Sequence, residues 1–478
     1  MELSTLSAGK QKIVTAMDGI AHKREKYIRR NHCYYADMLR LLKFYIPAGS
    51  RVLEIGCGTG YLLNQLKPLR GLGIDISQGM INEAQTQYNH LEFQRMDAEH
   101  LTLEETFDFV LISDTLGYFE DIQRALGELQ KVCHSGTRII ITYHSFLWQP
   151  LLQVAEGFRL KMPQTRLNWL NKADIINLLY LEGFDIIKQG RRFLFPKFFP
   201  VLSWLFNRYI AHLPFFNRLC ITGYIIARPV VPVTVPATEY SVSVIVPARN
   251  ESGNIENAVA QIPAMGSHTE IIFVEGHSKD DTLAEIQRVC ALYQGQRDIK
   301  YAVQEGKGKG DAVRKGFAMA SGDILMIQDG DLTAPPEDLP KFYQAIAAGK
   351  GEYINGSRLV YPMEKQAMRM LNVVGNKFFS LMFSWLLGQP LKDTLCGTKV
   401  ISRRNWEKLV ANRTYFGEFD PFGDFDLIFG AAKMNLKIVE VPLRYKAREY
   451  GDTNISRFSH GWLLLKMVLF AMNKIKFV

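Results

Sequence analysis

The segment Ile324-Leu-Met-Ile-Gln-Asp-Gly-Asp331 is an apolar run that ends abruptly in two carboxylates one residue apart. Four apolar residues between polar ones read as a buried strand. Asp329 and Asp331 then fall at its C-terminal lip, where open α/β sheets bind ligands. Residues i and i+2 of an extended segment project to the same side, so both carboxylates can reach one divalent cation. A cation held there would neutralise a diphosphate leaving group. The competing reading is a plain surface turn, since Asp-Gly pairs are turn formers.

A second chemical signal lies in the first half. Val52-Leu-Glu-Ile-Gly-Cys-Gly-Thr-Gly60 sets three glycines between a strand and the helical stretch Tyr61 to Leu66. Glycine lets the backbone pass close to a ligand, and the helix N-terminus offers free amide donors. The next strand ends at Asp75, an acid suited to ribose hydroxyls. Asp97 follows a third short strand, where adenine would lie. The set resembles the class I S-adenosylmethionine-dependent methyltransferases over roughly Ser50 to Tyr143. The resemblance implies that Glu54, Gly56, Gly58 and Gly60 form the first motif, Asp75 the ribose-binding acid and Asp97 the adenine-side acid. It matches Ser113 and Asp114 to the fourth motif. A nicotinamide site fits less well, because the glycine spacing differs from Gly-x-Gly-x-x-Gly. Methyl transfer is an in-line displacement governed by positioning. Tyr118, Tyr143 and His144 fall where acceptor contacts occur, though each could equally be a packed core residue.

Around the acidic pair stand further motifs in order: Val244-Ile-Val-Pro-Ala-Arg-Asn-Glu251, Phe273-Val-Glu-Gly-His-Ser278, and the glycine-lysine loop Gly306-Lys-Gly-Lys-Gly-Asp311. Then come Asn355-Gly-Ser-Arg358, Asp393-Thr-Leu-Cys-Gly-Thr-Lys399, Gly423-Asp-Phe-Asp-Leu427 and Val441-Pro-Leu-Arg-Tyr-Lys446. This series resembles the family 2 glycosyltransferases of GT-A fold over about Tyr240 to Phe458. Within them it is most similar to dolichol-phosphate mannose synthase and related polyprenyl-phosphate transferases. The resemblance implies Pro247, Ala248, Glu251, Glu275 and Asp311 around the nucleoside of a nucleotide-sugar donor, and Asp329 and Asp331 as ligands of Mg²⁺ or Mn²⁺. It implies Arg358, Arg369 and Arg448 on phosphates, where a planar guanidinium binds bidentately. Asp331 and Asp424 are the catalytic candidates, Asp424 as a base for acceptors that are not already anionic. Two motifs depart from the family. Glu275-Gly-His-Ser278 replaces Asp-Asp-Gly-Ser, and Gly451-Asp-Thr-Asn454 lacks a lysine expected to help bind phosphate.

These residues need scaffolds. Strand-like runs alternate with helical stretches from Arg51 to Tyr143 and afresh from Ser241 onward, which indicates two sheets wrapped by helices. Between them Arg228 to Thr238 holds three prolines and no helical period, and reads as an extended linker. The expected division is a methyltransferase domain at 1–228 with a helical cap near Lys10 to Phe44, a linker at 229–239, and a glycosyltransferase domain at 240–478. The fold class is α/β in both: a Rossmann-like seven-stranded sheet, then a GT-A nucleotide-sugar-binding sheet.

Bulk properties set the context. With 478 residues, 47% hydrophobic and 22% charged, the chain has the composition of folded domains rather than disorder. A net charge of +9 favours an anionic partner. The basic residues are dispersed rather than striped with aromatics, so nucleic acid is not expected. Six scattered cysteines without a Cys-x-x-Cys pair argue against a zinc site or disulfide scaffold and suit a reducing cytoplasm. No signal peptide is expected, nor any apolar run near the roughly 20 residues that span a bilayer. Three greasy segments, Phe198 to Ile226, Phe378 to Leu387 and Trp462 to Met472, mix aromatics with Lys or Arg as interfacial helices do. They point to peripheral attachment at the inner face of the cell membrane, with buried core helices or a domain interface as the alternative. The sequence thus favours a bifunctional enzyme that glycosylates a lipid-linked acceptor and methylates a related substrate. The alternative is an active glycosyltransferase whose N-terminal module binds S-adenosylmethionine or docks on membranes without catalysis.

Overall fold

The apolar runs become strands in two separate sheets. The computed structural model describes residues 6–163, 168, 170–196, 199–230, 239–358, 360, 370–415, 425–446, 448, 450 and 457–477. The chain divides into two compact units, Met1–Val231 with Phe477–Val478, and Pro232–Lys476.

In the first unit, β1 (Arg51–Ile55), β2 (Arg70–Asp75), β3 (Glu92–Arg95), β4 (Phe107–Ser113), β5 (Cys133–His144), β6 (Phe184–Arg192) and β7 (Thr222–Pro229) form one sheet. Its seven strands run in the order β3-β2-β1-β4-β5-β7-β6. The first five are parallel, while β7 is antiparallel to both β5 and β6. Val52 to Ile55 are buried at successive positions, so both faces of β1 are covered, as parallel strands require. The chain moves outward from β1 to β3 and then returns to β4 beside β1. That reversal opens a crevice at the strands' C-terminal ends.

Helices at Ala8–Ile20, Arg24–Arg30 and His32–Tyr45 build the expected N-terminal cap. A buried bidentate pair ties the last of them to β6: Arg192 donates to Asp37 at 2.6 and 2.9 Å. The helix Lys172–Leu181 starts in a capping box of Asn171 and Asp174.

One expectation is corrected here. Phe198 to Ile226 is not a single interfacial helix, because it breaks into helices at Pro200–Arg208 and Pro214–Asn217 and then enters β7. Pro214 cannot donate a helical hydrogen bond and starts a new turn instead. Ile225 and Ile226 are fully buried between β5 and β6. Arg228 and Pro229, assigned to the linker region, close β7, with Pro229 at the strand end where a missing N–H does least harm. Residues 231–238 lie outside the described residues.

In the second unit, β8 (Val242–Ala248), β9 (Thr269–Glu275), β10 (Asp298–Val303), β11 (Ile324–Ile327), β12 (Tyr353–Ser357), β13 (Lys399–Ser402) and β14 (Ile438–Pro442) run in the order β10-β9-β8-β11-β13-β12-β14. β11 is parallel to β8 and antiparallel to β13. All four residues of β11 are buried, and Val244, Val246, Phe273, Met326 and Phe342 fill the core beneath. Here too the chain winds outward from β8 to β10 and returns to β11 beside β8, so the ends of β8 and β11 flank the switch point. Of the other two greasy segments, Phe378 to Leu387 lies within the helix Met370–Leu387, and Trp462 to Met472 runs through the helix Arg457–Ala471 into the π-helical turn Met472–Lys476. Each has a buried side (Phe383 and Leu386; Met467 and Val468) and exposed apolar residues (Phe378 and Leu381; Trp462 and Leu469). Among the described residues no helix is long and apolar enough to cross a membrane.

Candidate active sites

In the first unit the glycine turn leaves β1 in the left-handed region, with φ of +72° at Gly56 and +54° at Gly58. A Cβ at Gly56 would fall 2.2 Å from Thr115, and one at Gly58 would fall 2.6 Å from the Arg24 guanidinium. Glycine is therefore required twice over, by conformation and by space. The Gly58 N–H donates to Asp75 Oδ2 and the Ser77 N–H to Oδ1, each at 2.9 Å, which fixes the carboxylate at the end of β2. Burial pushes the Glu54 carboxyl up to about 8, against the pull of Arg24 and a hydrogen bond from the Leu63 N–H.

Glu54, Gly56, Gly58, Asp75, Asp97 and Ser113 all line one cavity of about 740 Å³. Gly60 is not in that lining; a Cβ there would lie 2.5 Å from Phe93, so its role is to let that ring close in. Asp97 is buried and accepts a hydrogen bond from Lys10 Nζ at 2.5 Å, while Glu99 holds the same ammonium at 2.8 Å. Tyr118 and His144 line the cavity, whereas Tyr143 packs in the core and burial pushes its phenol up to about 12. Sequence reasoning missed Tyr34, which reaches in from the N-terminal helices and donates a hydrogen bond to Asp114. Asp114 itself sits at φ +53° and accepts from Thr142 at 3.2 Å. Burial lowers the His144 pKa, with Asp114 opposing.

In the second unit β8 delivers Pro247 and Ala248 to the switch point, and β11 delivers Asp329 and Asp331 beside them. Gly330 packs so tightly on the Pro247 carbonyl that a Cβ would lie 2.8 Å from it. Asp331 Oδ2 accepts from Arg448 Nη2 at 2.6 Å, and Oδ1 accepts from the Thr333 hydroxyl at 2.8 Å. The other Arg448 nitrogen reaches Glu251 Oε1 at 3.1 Å. Lys309, from the glycine-lysine loop, places its ammonium 2.5 Å from Asp329. Burial would raise the Asp329 pKa, but Lys309, Lys399 and Arg358 together hold it below the usual value. Gly397 backs this carboxylate so closely that a Cβ there would fall 1.8 Å from Oδ2.

The remaining expected residues are placed as follows. Glu275 is buried and accepts from the Ser278 N–H at 2.5 Å. Asp311 accepts from the Gly306 N–H at 2.7 Å and so closes its own loop. Arg358 is turned onto Asp393 in a bidentate pair at 2.7 and 2.8 Å, which holds the buried Asp393 carboxyl down to about 2. Its fork is thus engaged within the protein. Arg369 and Asp424 lie outside the described residues. Among those described, no three His, Cys, Asp or Glu side chains converge to hold a metal. Asp329 and Asp331 lie beyond β11 in a turn, closed by the Leu332 N–H on the Asp329 carbonyl at 3.2 Å, rather than in the extended segment expected. Each carboxylate meets its own cationic partner, Lys309 and Arg448, and both are hard oxygen donors of the kind a divalent cation takes.

The sequence matches known families on both sides. Residues 53–141 match the family described as Methyltransferase domain, and residues 243–409 that described as Glycosyl transferase family 2. The low-salt glycan biosynthesis hexosyltransferase Agl6 of Haloferax volcanii is 29% identical over 234 residues, covering 48% of this chain and 53% of that protein. A dolichol-phosphate mannosyltransferase of Pyrococcus furiosus is 38% identical over 121 residues, covering 25% of this chain and 33% of that protein. The alignments therefore span from a third to about half the length of these relatives. A solved SAM-dependent methyltransferase of Thermotoga maritima, described as a possible histamine N-methyltransferase, aligns with 46% of this chain and all of its own at 18% identity and a TM-score of 0.36. The chain thus joins, in one polypeptide, a methyltransferase domain to a family 2 glycosyltransferase domain.

Proposed function

We propose that the second unit transfers a hexosyl group from a nucleotide-sugar to a lipid-linked acceptor, a polyprenyl phosphate or a glycolipid, with inversion. We infer that the first unit methylates a related substrate from S-adenosylmethionine. The observation that carries the transferase reading is the turn after β11 that bears Asp329 and Asp331 and packs through Gly330 on the Pro247 carbonyl at the switch point. In this reading Asp329 and Asp331 hold Mg²⁺ or Mn²⁺, which when bound neutralises charge on the departing diphosphate. Arg448 spans Glu251 and Asp331 and orients both; Lys309 holds Asp329. An anionic lipid phosphate needs no base, whereas a hydroxyl acceptor would draw on Asp424.

The methyl-donor reading rests on the cavity that gathers Glu54, Gly56, Gly58, Asp75, Asp97 and Ser113. Peripheral binding at the cytoplasmic membrane face is supported by the net charge of +9 and by the apolar residues exposed on the helices Met370–Leu387 and Arg457–Ala471. If both units act on one glycolipid, tethering raises the local concentration of the intermediate. The test is incubation of membranes carrying the protein with labelled nucleotide sugars, followed by lipid extraction. Label in the polyprenyl fraction supports the reading, and label confined to water-soluble products overturns it.

A further inference from the structure

The cavity of the first unit extends well beyond its glycine turn. Besides Glu54, Gly58 and Asp75, its lining includes a set of apolar side chains, Trp148, Leu151, Val154, Phe158, Phe193 and Phe199, which form its apolar end. The helix Gln149–Gly157, which supplies much of this apolar end, contains no buried residue. Its Leu151 and Val154 are 63% and 59% exposed, and Phe158 just beyond is 74% exposed. Side chains that line a cavity and still face solvent mark its mouth, so the apolar end is open. Arg30, in the cavity lining, donates to the Arg159 carbonyl at 3.0 Å, and both arginine side chains are exposed beside that mouth.

Polar groups adjoin the apolar set: the Tyr34 ring packs on Phe193 at 5.3 Å and its hydroxyl donates to Asp114, and His144 Nε2 is 4.0 Å from Asp114 Oδ2. His144 Nδ1 is buried without a hydrogen-bond partner.

We propose that this apolar end is the methyl-acceptor subsite and that it takes a long aliphatic chain. The acceptor is a membrane-borne amphiphile, with its polar head at Asp114 and His144 and its chain leaving past Leu151, Val154 and Phe158. A compact apolar metabolite would need walls on all sides, since such ligands are mostly enclosed by their sites. A chain that continues into a bilayer needs an open apolar exit flanked by basic residues that meet anionic headgroups, and this mouth has both. The inference rests on the methyltransferase reading of this unit.

The test uses the full chain, a brominated dodecyl maltoside held below its micellar concentration, and tryptophan fluorescence, because bromine quenches an indole that it touches. Saturable quenching is expected, lost in Trp148→Phe. Leu151→Asp and Val154→Asp, both at exposed positions where folding is undisturbed, should each raise the half-saturating concentration about tenfold. Calorimetry with S-adenosylhomocysteine runs in parallel. Normal homocysteine-nucleoside binding without Trp148-dependent quenching overturns the aliphatic subsite and leaves the methyltransferase reading intact. Absence of that binding overturns both. Quenching seen only with brominated phospholipid vesicles, and never with the monomeric probe, also overturns it, since that outcome is surface docking alone.

Discussion

Arg448 Nη2 lies 2.6 Å from Asp331 Oδ2, while its Nη1 lies 3.1 Å from Glu251 Oε1. One guanidinium thus bridges the turn after β8 and the turn after β11, 197 and 117 residues away in sequence. The two strand ends that flank the switch point are cross-linked by charge, and Asp331 is oriented before any ligand arrives.

Replacing Asp331 with Asn keeps the size and removes the charge. Sugar transfer into extracted lipid should fall on the order of a hundredfold or more, the scale seen when one electrostatic partner of a reacting group is lost. Chelation with EDTA should abolish transfer by the unaltered protein, and excess Mn²⁺ should restore it. Full activity in EDTA counts against metal assistance.

Lys309 competes with any cation for Asp329. In Lys309→Met, Mn²⁺ titrated without nucleotide, followed by electron paramagnetic resonance, should bind several-fold more tightly. The difference should shrink at high salt, which screens the solvent-facing part of this partly buried pair. Weaker Mn²⁺ binding in the variant would show that the lysine supports the site rather than opposing the ion.

Glu54 gives a pH prediction. Its folded pKa of about 8 lies above the ordinary carboxylate value of about 4. The stability it contributes is therefore complete below about pH 4 and is lost as pH rises through about 8. Between about pH 5 and 8 the thermal transition stabilised by S-adenosylhomocysteine should fall in the unaltered protein and stay flatter in Glu54→Gln. Parallel slopes would refute the assignment.

The buried pair of Asp37 and Arg192 supplies a stability test. Asp37→Ala strands a buried guanidinium and should cost about 3–5 kcal/mol in urea unfolding of this unit. Asp37→Leu with Arg192→Met should recover much of that loss, because an apolar pair leaves no uncompensated charge.

Much of this was legible in sequence because the relevant signals are local. The apolar run of β1 with the glycine turn after it, β2 with its closing Asp75, and β11 with the acids just beyond it are each contained in a few consecutive residues. The strand order, with β7 and β13 antiparallel to their neighbours, was not read from sequence, because alternation alone does not fix which strands pair. Contacts between distant segments were not legible. Lys10 meets Asp97 from 87 residues away, and Tyr34 meets Asp114 from 80. No short motif encodes either. Hydrophobicity also misled at Phe198 to Ile226, since greasiness reports burial but not where a chain turns from helix to strand. For Arg358 the sequence suggests a grip on substrate phosphates, whereas the fold engages its guanidinium with Asp393, 35 residues away, a contact no short motif encodes.

Gly397 carries no charge and donates nothing to chemistry, yet it governs how far the Asp329 side chain can retract. Even a methyl group at that position would collide with the carboxylate and force it outward. Inactivation at such a site would come purely from crowding, with every ionisable group in the transferase left unaltered.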